Sequence, residues 1–162
     1  MNRIGLGYDV HAFADADAGR PLILAGVNVP YARGLAGHSD ADVVAHALAD
    51  ALLGAARAGD IGEYFPDTDS TWAGADSLDL LARVAEIVRE RGLEPVDADI
   101  VIICERPKLA PYRDDMRANL ARAMGLDVSA VGLKATTTER LGFTGRGEGI
   151  AAQAVVLARC RC

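Results

Sequence analysis

Between Asp42 and Arg57 the chain reads Val-Val-Ala-His-Ala-Leu-Ala-Asp-Ala-Leu-Leu-Gly-Ala-Ala, a helical run that is apolar almost all the way round. A helix with no broad wet face has to be covered on most sides, so the rest of the chain must be laid around it. Ser39-Asp40 offers the expected N-cap, and the run ends near Gly59. On a wheel of about 100° per residue, with Asp42 at zero, His46 falls at about 40° and Asp50 at about 80°. Val44, Leu48, Ala51, Leu52 and Ala55 cluster opposite this polar stripe. A stripe of this kind is often the solvated side of an amphipathic helix. Here Leu53 interrupts it and Ala45, Ala47 and Ala49 flank it, so its polar groups are expected to face a cavity or an interface.

The remaining pattern mixes strands and helices. Arg3 to Phe13 alternates imperfectly and reads as a strand, and Pro21 to Pro30 reads as two short strands around a glycine turn. Helices are expected from about Ser77 to Arg91, stopped by Gly92, and from about Pro111 to Met124, stopped by Gly125. Asp99-Ile100-Val101-Ile102-Ile103-Cys104 is a continuous β-branched run, expected as a strand buried on both faces or nearly so. Strands Val131 to Thr138 and Gly149 to Leu157 flank a glycine-rich connection. This order predicts an α/β (α+β-like) fold: one domain over residues 1–162, with a mixed sheet and helices mainly on one face. No repeat or linker divides the chain, and 162 residues bury enough apolar surface to fold without staples.

Several function classes are excluded. A net charge of −6 opposes a nucleic-acid partner, which needs a basic face. It does not oppose a small phosphorylated substrate, because local cations or a metal can reverse the field of a pocket. No apolar run approaches the roughly 18 residues that span a bilayer, and the start lacks a signal-peptide core, so a cytoplasmic protein is expected. Cys104, Cys160 and Cys162 form no disulfide or metal pattern. Cys104 is expected to act as a small buried hydrophobe. Cys160 and Cys162 are expected to lie in a frayed, silent tail whose removal changes little.

Asp9-Val10-His11 is the first chemical signal. Alternate strand residues share a face, so Asp9 and His11 project together and Tyr8 and Val10 project oppositely. Gly5 and Gly7 lie on the ligand side, which is expected to leave open space there and to allow close approach of another group. His46 is the natural third ligand. Two imidazoles and one carboxylate leave a coordination position open, the pattern of a catalytic zinc.

Phosphate signals lie elsewhere in the chain. His38-Ser39-Asp40 stands at a helix start, where free N–H groups suit an anion. Asp60-Ile61-Gly62 and Phe65-Pro66-Asp67 carry acids that bind hydroxyls or cap turns. Thr136, Thr137 and Thr138 suit phosphate oxygens, and Glu139 suits a hard cation such as magnesium. Arg106-Pro107-Lys108-Leu109-Ala110-Pro111 is either a stiff connector or a pocket wall.

Taken together, GYDVH, HSDADVVAHALADALLGAARAGDIGEYFPDTD, RPKL and KATTTERLGFTGRGEGIA resemble the 2-C-methyl-D-erythritol 2,4-cyclodiphosphate synthase family, from about Arg3 to Leu157. The resemblance implies a homotrimer with active sites between subunits. One subunit would hold Zn2+ on Asp9, His11 and His46. Its neighbour would form a cytidine pocket from Cys104, Pro107, Lys108, Leu109 and Ala110. A second ion, Mg2+ or Mn2+, would bridge substrate phosphates beside Glu139. His38 and Thr137 would stabilise the transition state, with Thr136 and Thr138 beside the phosphates. Asp60, Gly62 and Asp67 would hold the methylerythritol unit, with Ile61, Phe65 and Pro66 around it, and Val10 and Ser39 would complete the substrate contacts. The implied substrate is a cytidylyl diphosphate. The implied trimer has an apolar central channel that can take an isoprenoid diphosphate near Phe143 and Arg146. Ala110 is smaller than the leucine expected at the rim of the nucleotide pocket. Two other readings stand beside this one: a zinc-dependent phosphohydrolase, and a non-catalytic trimer that binds isoprenoid diphosphates.

Overall fold

The computed structural model describes residues 1–161. Strand β1 (Asn2–Ala12) leads to a hairpin of β2 (Leu22–Leu24) and β3 (Val27–Val29). Helix α1 (Val43–Ala56), the single turn α2 (Ile61–Tyr64) and α3 (Ser77–Glu90) follow. Then come β4 (Leu93–Ile103), α4 (Arg113–Met124), β5 (Val131–Thr136), the single turn α5 (Gly142–Gly145) and β6 (Gly149–Cys160). Four strands form one sheet in the order β1-β6-β4-β5. β6 pairs antiparallel with both β1 and β4, whereas β4 and β5 run parallel, joined through α4 as a parallel crossover requires. The sheet is therefore mixed, as expected, and α1, α3 and α4 pack on one face of it.

Along β1 the even residues Ile4, Leu6 and Tyr8 are exposed, and the odd residues Gly5 and Gly7 are buried. Gly5 and Gly7 do not front an open space. A Cβ at Gly5 would collide with the Ala51 carbonyl, and one at Gly7 with the Ala47 carbonyl. The group that approaches closely is the backbone of α1, which lies directly on the strand. Two strand residues advance about 6.6 Å and four helical residues about 6 Å, so the two repeats stay in step. Gly5 meets Ala51 and Ala55, Gly7 meets Ala47 and Ala51, and the next odd residue, Asp9, comes level with His46.

Four other expectations need correction. The N-cap of α1 is Asp42, not Ser39-Asp40. Ala41 turns the chain with a left-handed φ of 58°, and Asp42 Oδ1 accepts from Val44 N and Ala45 N, both at 3.1 Å. The same carboxylate accepts from Ala25 N and Gly26 N at 2.9 and 2.7 Å, so Asp42 is fully buried and does not belong to a wet stripe. Second, β4 begins at Leu93, with a register shift between Pro95 and Asp97 where the proline is accommodated. Third, Ile100 and Ile102 are buried but Val101 and Ile103 only partly so, since helices cover one face alone. Last, Cys160 is not frayed. It pairs with Leu93, its N–H donates to the Met1 carbonyl at 2.9 Å, and Arg161 bonds Gly92 O at 2.8 Å and the Glu94 carboxylate. Cys162 lies outside the described residues. Among the described residues, no helix is long and apolar enough to cross a membrane.

The close contact makes a direct prediction. Gly7→Ala must push α1 off β1, and overpacking of this kind costs about 1–3 kcal/mol. Urea denaturation of the variant should show that loss; a midpoint equal to wild type would refute the contact.

Candidate metal centre and active-site cleft

Asp9 and His11 leave β1 on the covered face, and His46 reaches them from the first turn of α1. Asp9 Oδ2 lies 3.0 Å from His11 Nε2 and 3.3 Å from His46 Nδ1, and the two ring nitrogens are 3.2 Å apart. Among the described residues this is the one group of three or more acidic, histidine or cysteine side chains close enough to share an ion. Asp9 Oδ2 is buried without a hydrogen-bond partner. Buried polar atoms are seldom left so, and an oxygen of this kind between two imidazole nitrogens fits a cation.

The electrostatics agree. Burial pushes the Asp9 carboxyl up, but the imidazoles of His11 and His46 outweigh it and hold the group at about 2. Burial likewise lowers His11, and it is outweighed by Asp9 and by the Ala36 carbonyl, so His11 is raised. His11 Nδ1 donates to Ala36 O at 2.7 Å, which leaves Nε2 to face the centre. The outer nitrogen of His46 lies 2.9 Å from Ser77 Oγ and 3.2 Å from Ser39 Oγ, and Ser77 donates to Asp40. Asp50, the next member of the expected stripe, accepts from Ile61 N at 2.8 Å and so ties α2 to α1. Burial raises its carboxyl.

A cleft of about 260 Å³ opens above this centre. His11, His38, Ser39 and His46 line it together with Ile61, Phe65, Asp67 and Trp72. The structure thus brings together the expected His38, Ser39, Ile61, Phe65 and Asp67. Trp72 was not singled out from the sequence; it meets Phe65 edge-on at 4.9 Å. Asp60 caps α2 through Glu63 N at 3.1 Å, and Gly62 follows it in the same turn. Pro66 lies in the connecting segment, partly buried. Val10 points to the opposite face of the sheet, away from this cleft.

A second cleft, of about 240 Å³, collects Cys104, Pro107, Lys108, Leu109, Ala110, Thr136 and Thr137. It shares no lining residue with the first. Burial, with the neighbouring Glu105, pushes the Cys104 thiol up to about 11 against the pull of Lys108, so it stays a neutral thiol. Thr137 Oγ1 donates to Glu139 at 3.2 Å. Glu139 and Arg140 both have left-handed backbones, φ 54° and 67°, a strain that clusters at functional segments. Glu105, overlooked in the sequence, holds that segment by accepting from Thr138 N and Arg140 N. Glu139 is exposed and stands apart from the Asp9 centre. Arg146 pairs with Glu148 at 2.9 Å on the rim of another depression, and Phe143 is partly buried in α5 beside it.

Residues 2–159 match the model of the YgbB family. The chain is 60% identical over 157 residues to the 2-C-methyl-D-erythritol 2,4-cyclodiphosphate synthase of Geobacillus kaustophilus, covering 97% of this chain and 98% of that one. A solved structure of a 2C-methyl-D-erythritol-2,4-cyclodiphosphate synthase in a form bound to CDP superposes with a TM-score of 0.87 at 41% identity, covering 97% and 100%. The bifunctional IspDF of Campylobacter jejuni superposes with a TM-score of 0.93 at 45% identity; 99% of this chain matches 42% of that longer one.

The depressed Asp9 carboxyl carries a signed consequence for the metal-free protein. A folded value near 2, below the ordinary 3.8, gives stability that is present above about pH 4 and lost as pH falls through 2. Discounted for the part of the side chain still exposed, it amounts to about 1–2 kcal/mol. Asp9→Asn should remove that acid limb in urea titrations run with chelator; an unchanged limb would show that Asp9 does not pair with the histidines.

Proposed function

The chain belongs to the YgbB family, and from that membership we propose that it closes a ring on 4-diphosphocytidyl-2-C-methyl-D-erythritol 2-phosphate. The products are 2-C-methyl-D-erythritol 2,4-cyclodiphosphate and CMP. An oxygen of the 2-phosphate forms a bond to the β-phosphorus, the bond from that phosphorus to the oxygen of CMP breaks, and CMP leaves with the electron pair. The observation that carries this reading is the Asp9–His11–His46 group, in which a buried, unpartnered carboxylate oxygen faces two imidazoles that themselves line a cleft.

The attacking group is already an anionic phosphate, so no strong base is required. The work is to fold a flexible substrate into line and to offset phosphate charge. Asp9, His11 and His46 would hold Zn2+, which supplies Lewis-acid stabilisation to a phosphate oxygen when bound. His38 stands on the rim of the same cleft and would donate to a phosphate oxygen. Ile61, Phe65 and Asp67, with Asp60, Gly62 and Pro66 in the same segment, would hold the methylerythritol unit. Cys104, Pro107, Lys108, Leu109 and Ala110 would take the cytosine end. Thr136, Thr137 and Thr138 would meet the phosphates, and Glu139 would carry Mg2+ or Mn2+. Val10, on the opposite sheet face, would contribute through the backbone of β1.

The two clefts need to meet, and we place them across the boundary between copies of a homotrimer. The apolar open face of the sheet, with Ile4, Leu6, Tyr8 and Val155 exposed, supports such an assembly. Its axis would leave room for an isoprenoid diphosphate near Phe143 and Arg146. The Arg146 guanidinium, held protonated by Glu148, supplies a charge suited to a diphosphate.

A phosphorus NMR time course on the cytidylyl substrate should show the cyclic diphosphate and CMP rising together. Dominant release of inorganic phosphate would instead establish a phosphohydrolase. His46→Ala should lower turnover about 100-fold or more while the protein stays folded. Full activity in that variant would remove the metal centre from the reaction. Sedimentation equilibrium should give three times the 17.0 kDa chain mass; a monomer would refute the assembly.

A further inference from the structure

Resting on the metal reading above, we propose that Ser77 and Asp40 are positioning residues that fix the tautomer of His46. They would make its Nδ1 present a lone pair, not an N–H, to the space beside Asp9. A neutral imidazole carries one N–H, and the partner of the outer nitrogen decides which ring atom bears it.

The choice is not automatic here. His46 Nδ1 lies 3.3 Å from Asp9 Oδ2, so a proton on Nδ1 would face a carboxylate and be welcomed there in the metal-free protein. The opposite preference has to come from the other side of the ring. Ser77 Oγ lies 2.9 Å from His46 Nε2. A hydroxyl can donate one proton and accept others, and the proton of Ser77 is already committed, because its Oγ–H donates to Asp40 Oδ1 in a short contact. Asp40 as a carboxylate is acceptor-only. It is pinned in place by Ser77 N at 3.1 Å and Asp42 N at 3.2 Å, so it cannot turn away from the hydroxyl. Ser77 Oγ is thus left with lone pairs toward His46, and Nε2 must be the donor.

Ser39 is the one competing partner. Its Oγ is 3.2 Å from Nε2 and accepts from Ala41 N at 3.2 Å, which leaves the Ser39 hydroxyl proton free. While Ser77 occupies Nε2 at the shorter distance, that proton has Ser77 Oγ at 3.4 Å to turn to. Without the Ser77 oxygen it would turn to Nε2, and the His46 proton would move to Nδ1. Ser77, the middle group, is 1% exposed and opens α3, and Asp40 precedes α1, so the chain of three groups ties the starts of two helices together. His11 is fixed by the same logic and a simpler partner, the acceptor-only carbonyl of Ala36.

The test uses the full chain, uniformly labelled with nitrogen-15 and freed of metal. Long-range proton–nitrogen spectra distinguish the two imidazole tautomers, and the chain has only three histidines to assign. In the neutral form of the ring, which those spectra identify directly, wild-type His46 should carry its proton on Nε2. Ser77→Ala and Asp40→Ala should shift it toward Nδ1 and weaken zinc binding roughly 10–100-fold in competition titrations with a chromophoric chelator. Ser77→Ala keeps the Asp40 contacts to the backbone, so it reports even where Asp40→Ala does not fold. An Nδ1–H tautomer in the wild type, or Nε2–H with undiminished zinc affinity in Ser77→Ala, overturns the proposal. A wild type that takes up no zinc yet shows Nε2–H overturns the metal reading and leaves the tautomer assignment standing.

Discussion

The distance between the backbones of α1 and β1 sets the geometry of the candidate metal centre. A strand and a helix normally keep a layer of side chains between them, roughly 10 Å from axis to sheet. Here Gly5 and Gly7 remove the strand's half of that layer, and Ala47, Ala51 and Ala55 reduce the helix's half to methyl groups. Two short polar side chains on β1 can then reach a histidine on α1. With larger residues at any of these positions the three ligands would stand apart. A displacement of about 1 Å is enough to disable a preorganised site. The helix that is apolar nearly all round is therefore the scaffold of the candidate site as well as the centre of the core.

Around that scaffold the polar groups are arranged to leave one deficit. Asp42 is buried but satisfied by four backbone N–H groups. Asp50 is tied to α2, and the outer nitrogens of His11 and His46 have partners. Among the buried side-chain oxygens and nitrogens of the described residues, Asp9 Oδ2 alone lacks one. A satisfied shell around an unsatisfied oxygen concentrates the cost of desolvation at the point where a cation would remove it. The sparse hydrogen bonding there is a feature of placement, because the outer nitrogens of both imidazoles are engaged elsewhere and only their inner nitrogens face the oxygen.

The sequence exposed the periodic parts of this design and concealed the tertiary ones. Asp9 and His11 could be paired because strand alternation is local, and the helical run was unmistakable. Gly5 and Gly7 showed that something approaches closely, but a pattern of spaces does not reveal what fills them. The helix start is not legible because Ser39, Asp40 and Asp42 all have capping chemistry, and the left-handed turn at Ala41 that selects Asp42 carries no residue signal. The first half of β4 was hidden by Pro95 and Asp97, whose bulge lets a strand pass where propensity predicts none. Ser77 and Trp72 lie 31 and 26 residues from His46 in the sequence, and only packing brings the first to its ring and the second to the cleft it lines. Cys160 looked terminal, yet β-pairing with Leu93 draws it into the sheet.

β1 also couples two tasks that seem separate. Its odd residues face α1 and end in Asp9 and His11, while its even residues Ile4, Leu6 and Tyr8 form the exposed apolar edge of the open sheet face. A shift of one residue would exchange the two sets, placing carboxylate and imidazole on the apolar face and leucine against the helix backbone. Continuous pairing with β6 from Asn2 to Ala12 fixes the register against that slip. The same ladder that holds Asp9 and His11 against His46 therefore also fixes which side chains the open sheet face presents. In the proposed trimer, metal geometry and subunit contact are set by one strand, and a change that loosens its pairing must disturb both together.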